Sequence, residues 1–328
     1  MDKNSTHQIW ETLTDGTPVV VTSHQNLDGD GAGAALALWN GLNKCAIKCL
    51  IYFEPPIPKV LQSLPGLGEH VENLTELPSR FHLVVLDCGS IDRIGELSRE
   101  KTRFVKIINI DHHRTNDFFG HQNLVEQTVS STAELVYRIL KTGDVRFEES
   151  ISRCLYAAIL TDTGSFTFSN TTQQAFEIAA ELVHLGIEPW RLADKLYFSP
   201  PEEVVRLKGL AISTLRLEKN GRVATMKITE DMFRQTGARP VDTQGFADIP
   251  ISVRNVEVSA LLKEIKGNPK PPCIKISLRS RAARQPADVC AVAESFGGGG
   301  HRHAAGCEME VDIDKARKII VETLSQEL

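Results

Sequence analysis

No stretch of the chain approaches the roughly 18–20 consecutive apolar residues a membrane span needs, so no membrane association is expected. The first residues, MDKNSTHQIWETL, are polar and lack the apolar core of a secretory signal, which makes the cytoplasm the expected compartment. Paired cysteines are also missing. The seven cysteines, Cys45, Cys49, Cys88, Cys154, Cys273, Cys290 and Cys307, are odd in number, scattered, and nowhere form C-x-x-C. That pattern excludes a disulfide framework and a zinc ribbon and suits small buried apolar residues. Basic excess is absent as well: the formal net charge is −5. Proteins that track long nucleic acid carry a basic surface, so a long duplex is a poor candidate ligand. A small anion held by metals and a few arginines fits the charge better. No internal repeat or low-complexity tract occurs.

What remains is ordinary globular composition, 41% apolar and 24% charged over 328 residues. At typical domain sizes this suggests about two domains. The first half alternates strand and helix patterns. Pro18–Thr22, His82–Leu86 and Phe104–Ile110 read as buried strands; Gly31–Leu42, Ile151–Leu160 and Thr172–Leu185 read as helices. Alternating βα units imply an α/β domain, a parallel Rossmann-like sheet covered by helices on both faces. After about residue 190 the pattern changes. Leu215–Glu218 and Arg222–Ile228 flank Asn220-Gly221, a hairpin signal, and Ile274, Ile276 and Leu278 alternate with polar residues. Helices are expected over Asp288–Phe296 and Asp314–Leu324. The expected layout is a catalytic domain over residues 1–188, a connecting segment over 189–205, and a smaller α+β domain with antiparallel strands over 206–328.

Four short segments of the first domain are dense in potential metal ligands. His24-Gln25-Asn26-Leu27-Asp28-Gly29-Asp30 follows one strand, Asp87-Cys88-Gly89 the next, and Asp111-His112-His113-Arg114 the third. Thr161-Asp162-Thr163-Gly164 closes a helix. Loops at the carboxyl ends of parallel strands are where ligands bind in open α/β sheets. Alone, each segment has an ordinary explanation, since an Asp after a strand is commonly a helix N-cap. Together they offer His24, Asp28, Asp30, Asp87, Asp111, His112, His113 and Asp162. Imidazole with carboxylate and no thiolate favours Mn²⁺, with Mg²⁺, Co²⁺, Fe²⁺ or Zn²⁺ as alternatives. That many ligands suit two cations sharing one carboxylate, the equipment for phosphoester hydrolysis.

Near the far end stands Gly297-Gly298-Gly299-Gly300-His301-Arg302-His303. Consecutive glycines let backbone N–H groups approach a phosphate, and His301 and Arg302 can add charge-assisted hydrogen bonds. The plainer reading is a flexible turn. Arg279 and Arg281 lie on the polar side of a strand, where they reach a nucleotide or form a solvated face.

The segments H-x-x-x-D-G-D, D-C, D-H-H, T-D-T-G and G-G-G-H-R-H-A-A-G, in this order over nearly the whole chain, resemble the DHH phosphoesterase superfamily with its DHH-associated C-terminal domain. The length most resembles its NrnA-type subgroup of oligoribonucleases, many of which also dephosphorylate 3′-phosphoadenosine 5′-phosphate. The resemblance implies one metal on His24, Asp28 and Asp87 and a second on Asp30, Asp87, His112 and Asp162. It implies that Asp111 orients its neighbours and that His113 faces the scissile phosphate. It implies substrate contacts from Arg279, Gly298, Gly299, Gly300, His301 and Arg302, and a fold of a parallel Rossmann-like domain and a mixed-sheet domain with the active site in the cleft between them. Two positions depart from the pattern. Leu27 stands where the subgroup often has Pro, and Thr167 where it often has a basic residue.

The expected activity is hydrolysis of short RNA, dinucleotides or a nucleotide bisphosphate. Within the class the alternative is a phosphodiesterase for cyclic or linear dinucleotides; outside it, a nucleotide-sensing module without turnover. A homodimer is compatible with the sequence.

Overall fold

The computed structural model describes residues 3–265, 273–281 and 287–328. The chain divides into two compact units, Met1–Ser199 and Pro200–Leu328. The first holds helix α1 (Lys3–Leu13), strand β1 (Val19–Ser23), α2 (Gly29–Lys44), β2 (Cys49–Ile51), β3 (Phe81–Leu86), β4 (Phe104–Asp111) and β5 (Gln122–Val125). Helices α3 (Thr132–Thr142), α4 (Glu149–Asp162), α5 (Gln173–His184) and α6 (Pro189–Ala193) follow, and a π-helical turn over Asp194–Phe198 continues α6. The strands form one parallel sheet in the order β2-β1-β3-β4-β5. β1 and β3 are buried along their whole length, in keeping with their largely β-branched and aliphatic runs on strands covered on both faces.

The two faces are covered differently. One packs Val19, Val21, Val84, Leu86, Ile108 and Ile110 against α2, α3 and α4. The other packs Val20, Leu83, Val85 and Phe81 against Leu77, Ile94 and Leu97. These last come from or adjoin a series of short 3₁₀ turns between residues 59 and 103, so this face lacks the α-helical cover expected on both faces of the sheet. Pro55, Pro56, Pro58, Pro65 and Pro78 interrupt the first part of this stretch, and Gly95 (φ 71°) breaks the segment Ile91–Arg99. Proline removes a helical donor and clashes with the preceding turn, so no long helix forms.

The second unit holds α7 (Glu202–Ser213), β6 (Arg216–Glu218), β7 (Val223–Ile228), α8 (Glu230–Thr236), α9 (Asp248–Ile251), β8 (Val258–Ile265), β9 (Cys273–Ser280), α10 (Val289–Glu294), β10 (Gly299–His301), β11 (Ala304–Glu310) and α11 (Ile313–Gln326). They build a six-stranded sheet in the order β10-β11-β9-β8-β7-β6. The hairpin at Asn220-Gly221 forms, with positive φ at Lys219, Asn220 and Gly221. The sheet is mixed, as the resemblance implies: β7 and β8 run parallel through the crossover that contains α8 and α9, and the other pairs are antiparallel. Ile274, Ile276 and Leu278 pack with Ala316, Ile320 and Leu324 of α11, leaving the opposite face of β9 and β11 to polar and small residues.

Candidate active site

Strand register assembles the first half of the site. Ser23 of β1 pairs with Leu86 of β3, and Leu86 pairs with Ile110 of β4. The next residue on each strand is therefore at the same carboxyl edge: His24, Asp87 and Asp111. Asp87 turns out of its strand with φ 54°, a left-handed conformation that Asp tolerates better than most residues. Helix packing brings the rest. Asp28 caps α2 by accepting from Gly31 N at 3.0 Å, and Asp30 lies in the first turn behind it. A Cβ on Gly29 would come within 2.3 Å of the Thr161 side chain, so glycine here lets α2 close on the end of α4 that carries Asp162.

The ligand atoms converge without touching. His24 Nε2 stands 3.7 Å from Asp28 Oδ1 and 3.5 Å from Asp87 Oδ2. His112 Nε2 stands 3.7 Å from Asp30 Oδ2, 3.5 Å from Asp87 Oδ1 and 3.6 Å from Asp162 Oδ2. These separations exceed the roughly 3.2 Å limit of a good N–H···O bond. Two donors each about 2.1 Å from one cation, at 90–110°, stand about 3.0–3.4 Å apart. The observed spacings lie just beyond that, so each imidazole and its carboxylates surround a volume of cation size. Asp87 belongs to both groups, one carboxylate oxygen in each. The ring orientation agrees: His24 Nδ1 is 2.7 Å from Gln25 O, so Nδ1 carries the proton and Nε2 presents its lone pair inward.

The charge balance also asks for cations. Burial, with Asp87, Asp162 and Asp28 beside it, raises the Asp30 carboxyl well above its usual range. Burial, with Asp87 and Asp28, raises Asp162 to about 6 against the pull of His112. Asp87 goes the other way, because the neighbouring imidazoles of His24, His113 and His112 outweigh its burial. His24 is held up at about 10 by Asp28 and Asp87 although burial alone would lower it. Four carboxylates against two imidazoles leave surplus negative charge in a buried place, which divalent ions relieve.

Asp111 has a different environment. Its Oδ1 accepts from His112 N at 2.8 Å and meets His113 Nδ1 at 2.7 Å, while Oδ2 accepts from Asn116 Nδ2 at 2.6 Å. Both oxygens are committed, so it serves as an anchor. Asp111 thereby fixes the orientation of the His113 ring through Nδ1. Burial would lower the His113 acid, but Asp111 and Asp87 raise it to about 9.

Several supporting residues escaped sequence reading. Thr132 N and Ala133 N, at the start of α3, donate to Asp30 at 2.7 and 3.2 Å, and Thr132 Oγ1 donates to Asp87 Oδ1 at 3.0 Å. Asn170 Nδ2 donates to Asp162 Oδ2 at 3.1 Å and to Ser130 O at 2.8 Å. Asn116 also ties Asn109 to Asp111. Asn109 in the otherwise aliphatic run FVKIINI was the one visible signal.

In the second unit, His301 pairs with Ala304 and Ala304 with Arg279, so one row across three strands puts His301 and Arg279 on the same face with a small residue between. The glycine run is not a flexible turn. Gly297 (φ 74°) lies in the turn after α10, Gly298 N donates to Ala293 O at 2.9 Å, and β10 begins at Gly299. Gly298 therefore has its N–H committed, and its bare Cα packs against β11, where a Cβ would meet Gly306 O at 2.1 Å. Gly300 (φ 142°) lies opposite Ala305 on the core side, where a Cβ would meet Ala304 O at 2.6 Å. Arg302, past the strand end, is exposed. Arg281 is exposed, but its guanidinium is committed to the protein's own backbone. It donates to the carbonyls of Val256, Ile251 and Val253 at 2.7, 2.9 and 3.0 Å, clasping the loop after α9.

The sequence profile of the DHH family, N-terminal domain, matches residues 18–159, and that of the DHHA1 domain matches residues 220–326. The chain is 32% identical to the bifunctional oligoribonuclease and PAP phosphatase NrnA of Thermus thermophilus, over 95% of this chain and 90% of that protein. It is 26% identical to the protein of the same name from Bacillus subtilis, over 75% of each. An exopolyphosphatase-related protein from Bacteroides fragilis superposes with a TM-score of 0.85 at 27% identity, covering 99% of this chain and 96% of that one.

Proposed function

Because the chain belongs to the DHH family, we propose that it is a metal-dependent phosphoesterase that hydrolyses short oligoribonucleotides and dephosphorylates 3′-phosphoadenosine 5′-phosphate. The observation that carries the reading is the pair of ligand groups meeting at Asp87, His24–Asp28–Asp87 and Asp30–Asp87–His112, with Asp162 beside the second. His24, Asp28 and Asp87 would hold one divalent ion, and Asp30, Asp87, His112 and Asp162 the other, with Mn²⁺ favoured by the mixed donors. Bound there, two such ions supply an acidified water and neutralise the phosphoryl oxygens.

The protein's own groups do the rest. Thr132 holds Asp87, and the amides at the start of α3 hold Asp30, so the carboxylates are aimed before substrate arrives. Asp111 fixes His113 with Nδ1 protonated, and the proton on Nε2 passes to the leaving oxygen as the P–O bond breaks. Arg279 and His301, on one face of the second sheet, suit recognition of a nucleotide and its phosphate.

The test is turnover by the purified protein with Mn²⁺, given in parallel a 5′-phosphorylated RNA dinucleotide, a long single-stranded RNA, a cyclic dinucleotide, 3′-phosphoadenosine 5′-phosphate and pyrophosphate. Rapid loss of the dinucleotide and the bisphosphate, with the long RNA nearly untouched, is the expected result. Preference for the cyclic dinucleotide or pyrophosphate would replace the substrate class. Two bound metals with no turnover of anything would replace the enzyme reading with a nucleotide sensor.

A further inference from the structure

Four carboxylates, Asp28, Asp30, Asp87 and Asp162, gather at the candidate metal site. Two divalent ions cancel their four negative charges and leave no surplus positive charge for a second phosphate on the substrate. The loops that carry the ligands offer little else. Residues 24–28 and 163–172 contain no lysine or arginine, and residues 112–121 contain Arg114 alone. Arg114 is already engaged. The loop after Asp87 supplies Arg93. Its guanidinium is exposed and makes no hydrogen bond or ion pair among the described residues. Its main chain, by contrast, is fixed: Arg93 O accepts from Gln25 N, the neighbour of His24, at 2.6 Å, and Arg93 N donates to Ser90 O at 3.2 Å. Gly89 O on the same loop accepts from Asp117 N at 3.0 Å, tying it to the loop that follows His113. The side chain is close enough for its charge to act on His113 and on Cys88. A tethered backbone bearing an unpaired cation at the rim of an anion-processing site is the arrangement of a phosphate-recognition residue.

We propose that Arg93 is a substrate-binding residue that recognises a non-scissile terminal phosphate, the 5′-phosphate of the nucleotide whose 3′-oxygen is the leaving group. This rests on the phosphoesterase reading above. It also unites the two proposed substrates, because a 5′-phosphorylated dinucleotide and 3′-phosphoadenosine 5′-phosphate both present a 5′-phosphate and a scissile 3′-phosphoryl group on one nucleoside. In both, water attacks phosphorus, the P–O3′ bond breaks and a proton goes to O3′.

The experiment compares wild type, Arg93→Ala and Arg93→Lys on two matched pairs with Mn²⁺: pApA against ApA, and 3′-phosphoadenosine 5′-phosphate against adenosine 3′-monophosphate. Loss of a hydrogen-bonded charge contact is expected to cost Arg93→Ala about 10–100-fold more in kcat/KM on the 5′-phosphorylated member of each pair than on its partner, mostly through KM. Arg93→Lys should recover part of that difference. Equal losses within each pair, or no loss, would overturn the assignment. If wild type cleaves none of the four compounds, the phosphoesterase reading fails on its own. Arg93 is then judged by calorimetric titration with adenosine 5′-monophosphate and adenosine. Weaker binding of the monophosphate alone by Arg93→Ala supports the role, and unchanged binding removes it.

Discussion

Replacing His113 by alanine removes the imidazole that Asp111 holds without removing a proposed ligand, so metal content should persist while turnover falls by about 10²–10⁴-fold. Elemental analysis beside a kinetic assay checks both halves, and unchanged turnover would take His113 out of the mechanism. Asp87→Ala should differ in kind. Its two oxygens face two imidazoles at 3.5 Å, so the variant should lose activity and at least one metal; full occupancy would rule out a bridging role. Thr132→Val removes the hydroxyl that donates to Asp87 at 3.0 Å. It should weaken metal affinity by roughly 10–100-fold, the usual cost of losing a group that orients a ligand, measured by titration with Mn²⁺. The first two residues were legible in the sequence because Asp and His at strand ends are conspicuous. Thr132, Asn116 and Asn170 were not, because nothing local distinguishes them from surface polar residues.

Between elements, the approach of α2 to α4 decides whether Asp30 and Asp162 can face one imidazole. Gly33 lies at that contact: a Cβ there would stand 2.5 Å from Cys154 O and 2.8 Å from the Ala158 side chain. A backbone oxygen cannot rotate away, so Gly33→Ala must push the helices apart. The expected cost is about 1–3 kcal/mol of stability, typical of overpacking, read by chemical denaturation. Weaker Mn²⁺ binding should accompany it although Gly33 offers no ligand, and a variant with native stability and metal affinity would show that this helix spacing is not critical. Five helices (α2, α4, α5, α10 and α11) and the three site-bearing strands were readable from periodicity, with ends shifted by one to a few residues. β2, β5, β8, β10 and β11 passed unnoticed, as did α1, α3 and the four helices α6 to α9, the first two of which fall in or beside the expected connecting segment. β2 is a strand of 3 residues, and at that length the register of a neighbour, not the residue pattern, makes the strand.

For the molecule as a whole, cation binding and folding should be coupled. The unfolded chain disperses the carboxylates that the native state crowds together, so ions bind the folded protein preferentially. Each site saturated at 100 times its dissociation constant adds about 2.7 kcal/mol. The melting temperature should therefore rise with Mn²⁺ concentration and fall with chelator, and the shift should be smaller in Asp87→Ala. A melting temperature indifferent to Mn²⁺ would contradict metal binding at this site.

The order of strand and helix patterns, the acids and histidines that follow each strand, and the change of character near residue 190 were determined by the sequence itself, because each is a matter of local residue type and spacing. The tertiary structure decided which of those ligands share a site. The register Ser23–Leu86–Ile110 aligns three loops far apart in the chain, and Asp30 finds its amide donors 102 residues away. The glycine run became the end of a helix and an edge strand because Gly298 and Gly300 fit against β11 where a Cβ would not. Arg281 became a clasp because three carbonyls lay within its reach. Such outcomes depend on distances between segments, and those distances arise only when the sheets and helices have packed.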